Sequence, residues 1–155
     1  MASAEERVQR LEDIEAVRAL KVQYAGICDR NYPADELAAL FTEDAVWDGG
    51  DTFGVHKGKV AIRKFFAGVS KDITFALHYM IGHTIDVDLS GRKATAHWYL
   101  WEPMTYKGKA LFAGMTYDDE LVKVDGQWLF SKVKIHMHFL TSYEKGWVKE
   151  RIFQG

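Results

Sequence analysis

Two pairs of residues have the types and spacing that suit proton chemistry: Tyr24 and Asp29, five apart, and His78 and His83, also five apart. A neutral imidazole paired with a carboxylate is the ordinary base near neutral pH, because the carboxylate fixes the tautomer and stabilises the imidazolium. Asp29 stands near the end of a helical pattern, where the macrodipole disfavours an anion. A residue that breaks a local rule invites a functional reading; the plain alternative is that Asp29 caps the turn before Pro33. Tyr24 and Asp29 lie about 140° apart on an ideal helix. They share one cavity only if the helix ends or bends between them, which Gly26 allows. His78 and His83 sit in an apolar segment, and an odd separation sends them to opposite faces of a regular strand. At most one points inward unless a bulge near Gly82 resets the alternation, and the alternative for either is a structural hydrogen bond.

Further on, alternation groups Ala96, Trp98, Leu100 and Glu102 on one strand face and His97, Tyr99 and Trp101 on the other. The first face reads as a pocket wall carrying one acid, or else Glu102 is a strand-end residue facing water. The second face suits packing against another subunit. His136 and His138 place two imidazoles on one strand face, but Glu144 follows at the wrong spacing for a metal site. No metal is expected. There is no GxGxxG, phosphate loop, GxSxG or CxxC, so no nucleotide cofactor, acyl-serine chemistry or redox cysteine pair is expected either.

The elements that must position these residues follow from periodicity. Val8, Leu11, Ile14, Val17, Leu20, Tyr24 and Ile27 recur at three to four, which predicts a long helix from Ala4 to Arg30. Ser3 and Glu6 form a capping box at its start, and Asn31-Tyr32-Pro33 stops it. A short helix from Ala34 to Phe41 comes next, then two short strands, Ala45 to Asp48 and Thr52 to Lys57, hinged at Gly49-Gly50. A third helix spans Lys59 to Val69. Beyond it the period becomes two, giving four long strands: Ile73 to Leu89, Lys93 to Met104, Ala110 to Val124 and Gln127 to Leu140. Long strands joined by short turns are antiparallel and curl. The expected fold is α+β: N-terminal helices on the concave side of a strongly curved, mainly antiparallel six-stranded sheet, a cone that the helices leave partly open as a pocket.

Composition sets the class. A chain of 155 residues with 48% hydrophobic and 27% charged residues suits one domain, 1–155, with its core over about 5–140. The balance of 20 basic and 22 acidic residues, net −2, has no basic block to neutralise phosphates, so no nucleic-acid partner is expected. One cysteine, a polar start and no long apolar run point to a cytoplasmic protein with no membrane partner. Aromatic residues reach 14%, enough to wall a pocket for a small apolar molecule.

In order along the chain, Leu20-Lys21 with Tyr24 and Asp29, Gly82-His83-Thr84, Trp98-Tyr99-Leu100 and Asp125-Gly126-Gln127-Trp128 resemble the SnoaL-like branch of the nuclear transport factor 2-like, cystatin-like superfamily. Relatives there include scytalone dehydratase, ketosteroid isomerase, lindane dehydrochlorinase and, with the most matches, bile acid 7α-dehydratase. The resemblance implies an Asp and His dyad with an assisting Tyr, carried onto Asp29, His78 and Tyr24, and Glu102 falls where the bile acid enzyme has an aspartate. An arginine that relatives carry near the end of the last strand is absent, with Ile135 to His138 in its place. The expected function is a cofactor-independent, dehydratase-like lyase acting on an apolar alicyclic, steroid-like or polyketide-like substrate. His78 would take a carbon-bound proton, Asp29 orient it, Tyr24 donate a hydrogen bond to a developing oxyanion, and Glu102 serve as a polar anchor. Trp47, Phe53, Phe65, Trp98 and His83 are the candidate substrate-binding residues. The alternatives are a ketosteroid-isomerase-like isomerase and a non-catalytic binding or association domain. A homodimer or homotrimer is expected in either case.

Overall fold

The computed structural model describes residues 2–155. The chain begins with α1 (Ala4–Asp29), whose Ser3 hydroxyl accepts from the Glu6 N–H while the Glu6 carboxylate accepts from the Ser3 N–H, the predicted capping box. Val17, Leu20, Tyr24 and Ile27 are buried, whereas Val8 and Leu11 are exposed. The helix runs unbroken through Gly26 and stops where Asn31 and Tyr32 turn left-handed ahead of Pro33.

α2 (Ala34–Ala38) is shorter than the periodicity predicts, because Phe41 opens β1 (Phe41–Asp48), where it pairs in parallel with Phe130. Instead of a hairpin at Gly49-Gly50, a single helical turn, α3 (Gly50–Phe53), leads into β2 (Val55–Lys57). Gly50 at φ +62° and Gly54 at φ +76° bracket that turn in conformations that side chains with a Cβ avoid. Then come α4 (Lys59–Val69), β3 (Ile73–Ala76), β4 (Tyr79–Val87), β5 (Lys93–Tyr106), β6 (Lys109–Val124), β7 (Gln127–Ser142) and α5 (Gly146–Lys149).

The sheet has seven strands in the order β2-β1-β7-β6-β5-β3, with β4 also on β5. The six-strand expectation fails at one place: the stretch read as a single strand from Ile73 to Leu89 breaks at Leu77-His78 into β3 and β4. All pairs are antiparallel except β1 with β7. Bulges between Gly114 and Met115 and between Glu120 and Leu121 help to bend β6 against β7.

The inner face of the curved sheet carries Trp98, Leu100, Tyr117, Phe130 and Val133 against α1. One ion pair is sealed in this core: Lys21 Nζ lies 2.9 Å from Asp119 Oδ2, both side chains fully buried. The Lys21 ammonium also sits over the Tyr117 ring at 3.8 Å. Among the described residues no helix is long and apolar enough to cross a membrane.

Candidate functional site

The break between β3 and β4 creates the site. Ala76 pairs with Met104 and Tyr79 with Trp101, so continuous register sets Leu77 across from Pro103 and His78 across from Glu102. The Leu77 N–H donates to the Pro103 carbonyl at 3.1 Å, but proline has no N–H to return the bond, and the ladder is interrupted. His78 and Glu102 then form a non-hydrogen-bonded pair, the kind in which facing side chains approach most closely. The His78 N–H points to the free edge of the sheet, where it donates to Asp29 Oδ1 at 2.8 Å.

Asp29 is the last residue of α1, and the same Oδ1 lies 2.7 Å from His78 Nδ1. The helix neither ends nor bends between Tyr24 and Asp29, so the two do not share a cavity as expected. Tyr24 faces the interior while Asp29, a quarter exposed, holds the imidazole from behind. The carboxylate that is misplaced for the helix dipole is thus compensated by two hydrogen bonds from one histidine.

His78 is buried between two carboxyl groups, with Nε2 3.3 Å from Glu102 Oε1. Burial pulls the imidazole down, but the Glu102 charge and the Asp29 hydrogen bond and charge outweigh it, and His78 ends above its usual range. Burial pushes the Glu102 carboxyl up, opposed by His78 and reinforced by Asp29. Each group therefore holds its proton to a higher pH than it would in water.

Around this pair is a cavity of about 40 Å³ lined by Tyr24, Tyr32, Trp47, Phe66 and Tyr117 among others. The Trp47 indole N–H donates to the Tyr24 hydroxyl at 3.0 Å. Burial first, and then the Cys28 and Tyr117 groups nearby, keep the Tyr24 phenol protonated far above its ordinary range. Phe53, Phe65, Val69 and Ile73 separate this cavity from a wider surface groove of about 820 Å³ that the chain end, Ile152 to Gly155, helps to line.

Of the predicted site residues, Tyr24, His78, Glu102, Trp47, Phe53 and Phe65 line the cavity, and Asp29 supports it from outside. Two do not belong to it. The register shift at Gly82, φ +58°, turns His83 onto Trp98, where the rings meet at a 31° tilt with centroids 5.1 Å apart and Arg18 Nε donates to His83 Nε2 at 3.1 Å. His83 is therefore an exposed neighbour of α1, and Trp98 is core. That part of the cone is filled by α1, whose Lys21 reaches Asp119, the register partner of Ala96.

His136 and His97 share Asp118 on the outer face, at 2.9 and 2.7 Å, and His138 pairs with Thr116. Among the described residues no group of three or more His, Cys, Asp or Glu is arranged to hold a metal ion. Where relatives were expected to carry an arginine, Ile135 lines the cavity. Sequence reasoning missed Tyr32, Cys28 and Tyr117. For Tyr117 a signal existed, since it shares strand parity with Met115 on β6, which also lines the cavity.

The SnoaL-like domain model matches residues 9–134. A Novosphingobium aromaticivorans protein provisionally named scytalone dehydratase is 26% identical, covering 88% of this chain and 91% of that one, with a TM-score of 0.80. The hexachlorocyclohexane dehydrochlorinase LinA-type3 of Novosphingobium barchaimii shares the fold at 20% identity, over 88% of this chain and 93% of its own, with a TM-score of 0.76. An uncharacterized protein of Mycobacterium tuberculosis is 28% identical over 131 residues, 83% of this chain and 84% of that relative. By the domain match over most of its length, the chain belongs to the SnoaL-like family.

Proposed function

We propose that the chain is a dehydratase-type lyase that removes water from an apolar cyclic substrate bearing a hydroxyl β to a carbonyl. The observation that carries this reading is His78, fixed at Nδ1 by Asp29 and facing Glu102 through Nε2, at the wall of an aromatic cavity.

In the reactive form His78 is neutral and Glu102 protonated. His78 Nε2 takes the proton from the carbon next to the carbonyl, while Tyr24 donates a hydrogen bond to the oxyanion that develops there. The electron pair forms the C=C bond, the C–O bond breaks, and Glu102 gives its proton to the departing hydroxyl, which leaves as water. His78 has then gained one proton and Glu102 has lost one. Direct transfer across the 3.3 Å between Nε2 and Oε1 restores both. Asp29 keeps the proton on Nδ1 throughout, so Nε2 remains the base.

The named relatives support a lyase: one carries the name of a dehydratase and the other of a dehydrochlorinase. A cavity of about 40 Å³ holds a few waters and not a ring. A substrate therefore enters by displacing Phe53 and Phe65, the side chains between it and the outer groove.

The test is a paired screen of the wild type and His78→Ala against hydroxylated steroids, polyketide-like phenols and cyclic ketols, read by mass spectrometry and thermal shift. A product lighter by one water with the wild type alone supports the reading. A product of unchanged mass with a moved double bond would replace it with isomerisation by the same base. A ligand that stabilises both proteins and is altered by neither would make the chain a carrier.

We also propose that copies of the chain associate through the outer face of the sheet. Trp101, Phe112, Phe139 and Trp147 form a continuous aromatic cluster there, Trp101 stacking on Phe112 at 5.4 Å and Phe139 meeting Trp147 at 5.3 Å. Tyr99, Trp101 and Trp147 are exposed. An apolar patch of this kind on a small protein marks an association surface.

A further inference from the structure

Asn31 and Tyr32 have φ of +68° and +57°, two consecutive residues with a Cβ in left-handed backbone. For an aromatic residue that conformation is an outlier, and strain of this kind collects where a side chain must be aimed. The N–H groups of both donate back to the Cys28 carbonyl, at 3.2 and 3.3 Å, and Pro33 fixes the chain that follows.

The reversal folds the Tyr32 ring back under the end of α1, leaving it 7% exposed. The ring meets the His78 imidazole edge-on at 5.9 Å and lies parallel to Phe66 at 6.3 Å. Its hydroxyl differs from that of Tyr24. The Tyr24 oxygen already accepts from Trp47, whereas Tyr32 makes no side-chain hydrogen bond with any described residue. Burial, and then the charge of Glu102, hold the phenol protonated well above its ordinary range, so it remains a donor. The hydroxyl is not sealed from solvent as the unpaired Trp98 indole N–H is, so an acceptor can reach it. It borders the cavity that His78 and Glu102 share.

We infer that Tyr32 is a substrate-binding residue, its hydroxyl donating a hydrogen bond to an oxygen of the cyclic ligand. The inference deepens the proposed function by naming what the cavity recognises, and it rests on that reading only as far as the cavity being a ligand site.

Calorimetric titration with two rings of the same shape tests it: cyclohexanone, which has an acceptor oxygen, and methylenecyclohexane, which has none. The ratio of ketone to hydrocarbon affinity should be about fivefold higher in the wild type than in Tyr32→Phe, the worth of one neutral hydrogen bond. Tyr32→Phe keeps the ring and should bind methylenecyclohexane as the wild type does. A melting curve confirms that the variant is folded, and Tyr32→Met serves as a second variant without the hydroxyl. A ratio unchanged from the wild type in both variants overturns the inference. Neither ring carries a leaving group, so the titration reads binding alone. A failed turnover screen would leave this result standing, and a failed titration would leave the lyase reading standing.

Discussion

His78, in the break between β3 and β4, faces Glu102 of β5 with Nε2 3.3 Å from Oε1, beside the point where Pro103 interrupts the ladder. Proline cannot complete the ladder opposite Leu77, and the edge is interrupted there. The His78 N–H, in a non-hydrogen-bonded pair with Glu102, points to the free edge, where Asp29 at the end of α1 accepts it.

The acid limb of the pH profile should report the His78 and Glu102 pair. The base works as neutral imidazole, so kcat/KM should rise with pH through a titration displaced above the ordinary imidazole value of about 6.5. Asp29→Asn removes a bond and a charge that raise it. The limb should move to lower pH, and the plateau should fall by about a hundredfold as the tautomer is no longer held. A limb that stays in place in the variant would separate Asp29 from the titration.

Stability should move with the same groups. The folded values of His78 and Glu102 both lie above the unfolded ones, so their contribution is complete at low pH and is lost as pH rises through the folded values. Urea midpoints should therefore fall as pH rises above the ordinary carboxyl and imidazole values, 4.5 and 6.5, in the wild type and change less in Glu102→Gln.

Glu102→Gln also tests the proton donor. The amide cannot protonate a leaving hydroxyl, so dehydration should slow on the order of a hundredfold. The same ring with a halide in place of the hydroxyl needs no proton on departure and should lose much less. Equal losses with both leaving groups would reduce Glu102 to the polar anchor first expected.

The Lys21 and Asp119 pair is a stability element. Lys21→Met leaves the Asp119 carboxylate buried without its partner, which costs about 3–5 kcal/mol. Adding Asp119→Leu should restore most of it, since matched apolar replacement of a buried pair is often close to neutral. Denaturant titration of the single and double variants measures this. A single variant within about 1 kcal/mol of the wild type would contradict an obligatory pair.

Association should depend on the aromatic cluster. Trp101→Glu places a charge among Phe112, Phe139 and Trp147 and should shift the chain to a monomer in light scattering. The cavity lies on the other side of β5, so the fold and the His78 pocket should persist.

Much of the architecture was legible because it rests on local rules. The capping box, the long first helix and the alternation of β5 follow from periodicity and short-range hydrogen bonding. The helical turn at Gly50 was not legible, because two glycines permit several turns and only the packing of Phe53 against Trp47 selects one. His83 and Trp98 were misassigned to the pocket for a related reason. Alternation tells which face of a strand a residue takes, and not how far along that face the helix leaves the cone open.

The sequence by itself determined the elements, the parity that puts Glu102 with the inner face, and the residue types able to move a proton. Tertiary structure decided which of them meet. Asp29 and His78 are separated by 49 residues, and their contact depends on where α1 ends against the edge of the sheet. Tyr32 enters the cavity through a left-handed reversal that local propensity disfavours and only packing against Phe66 and His78 sustains. Periodicity acts over a few residues, whereas an imidazole held between two carboxyl groups is a property of groups brought together across the whole chain.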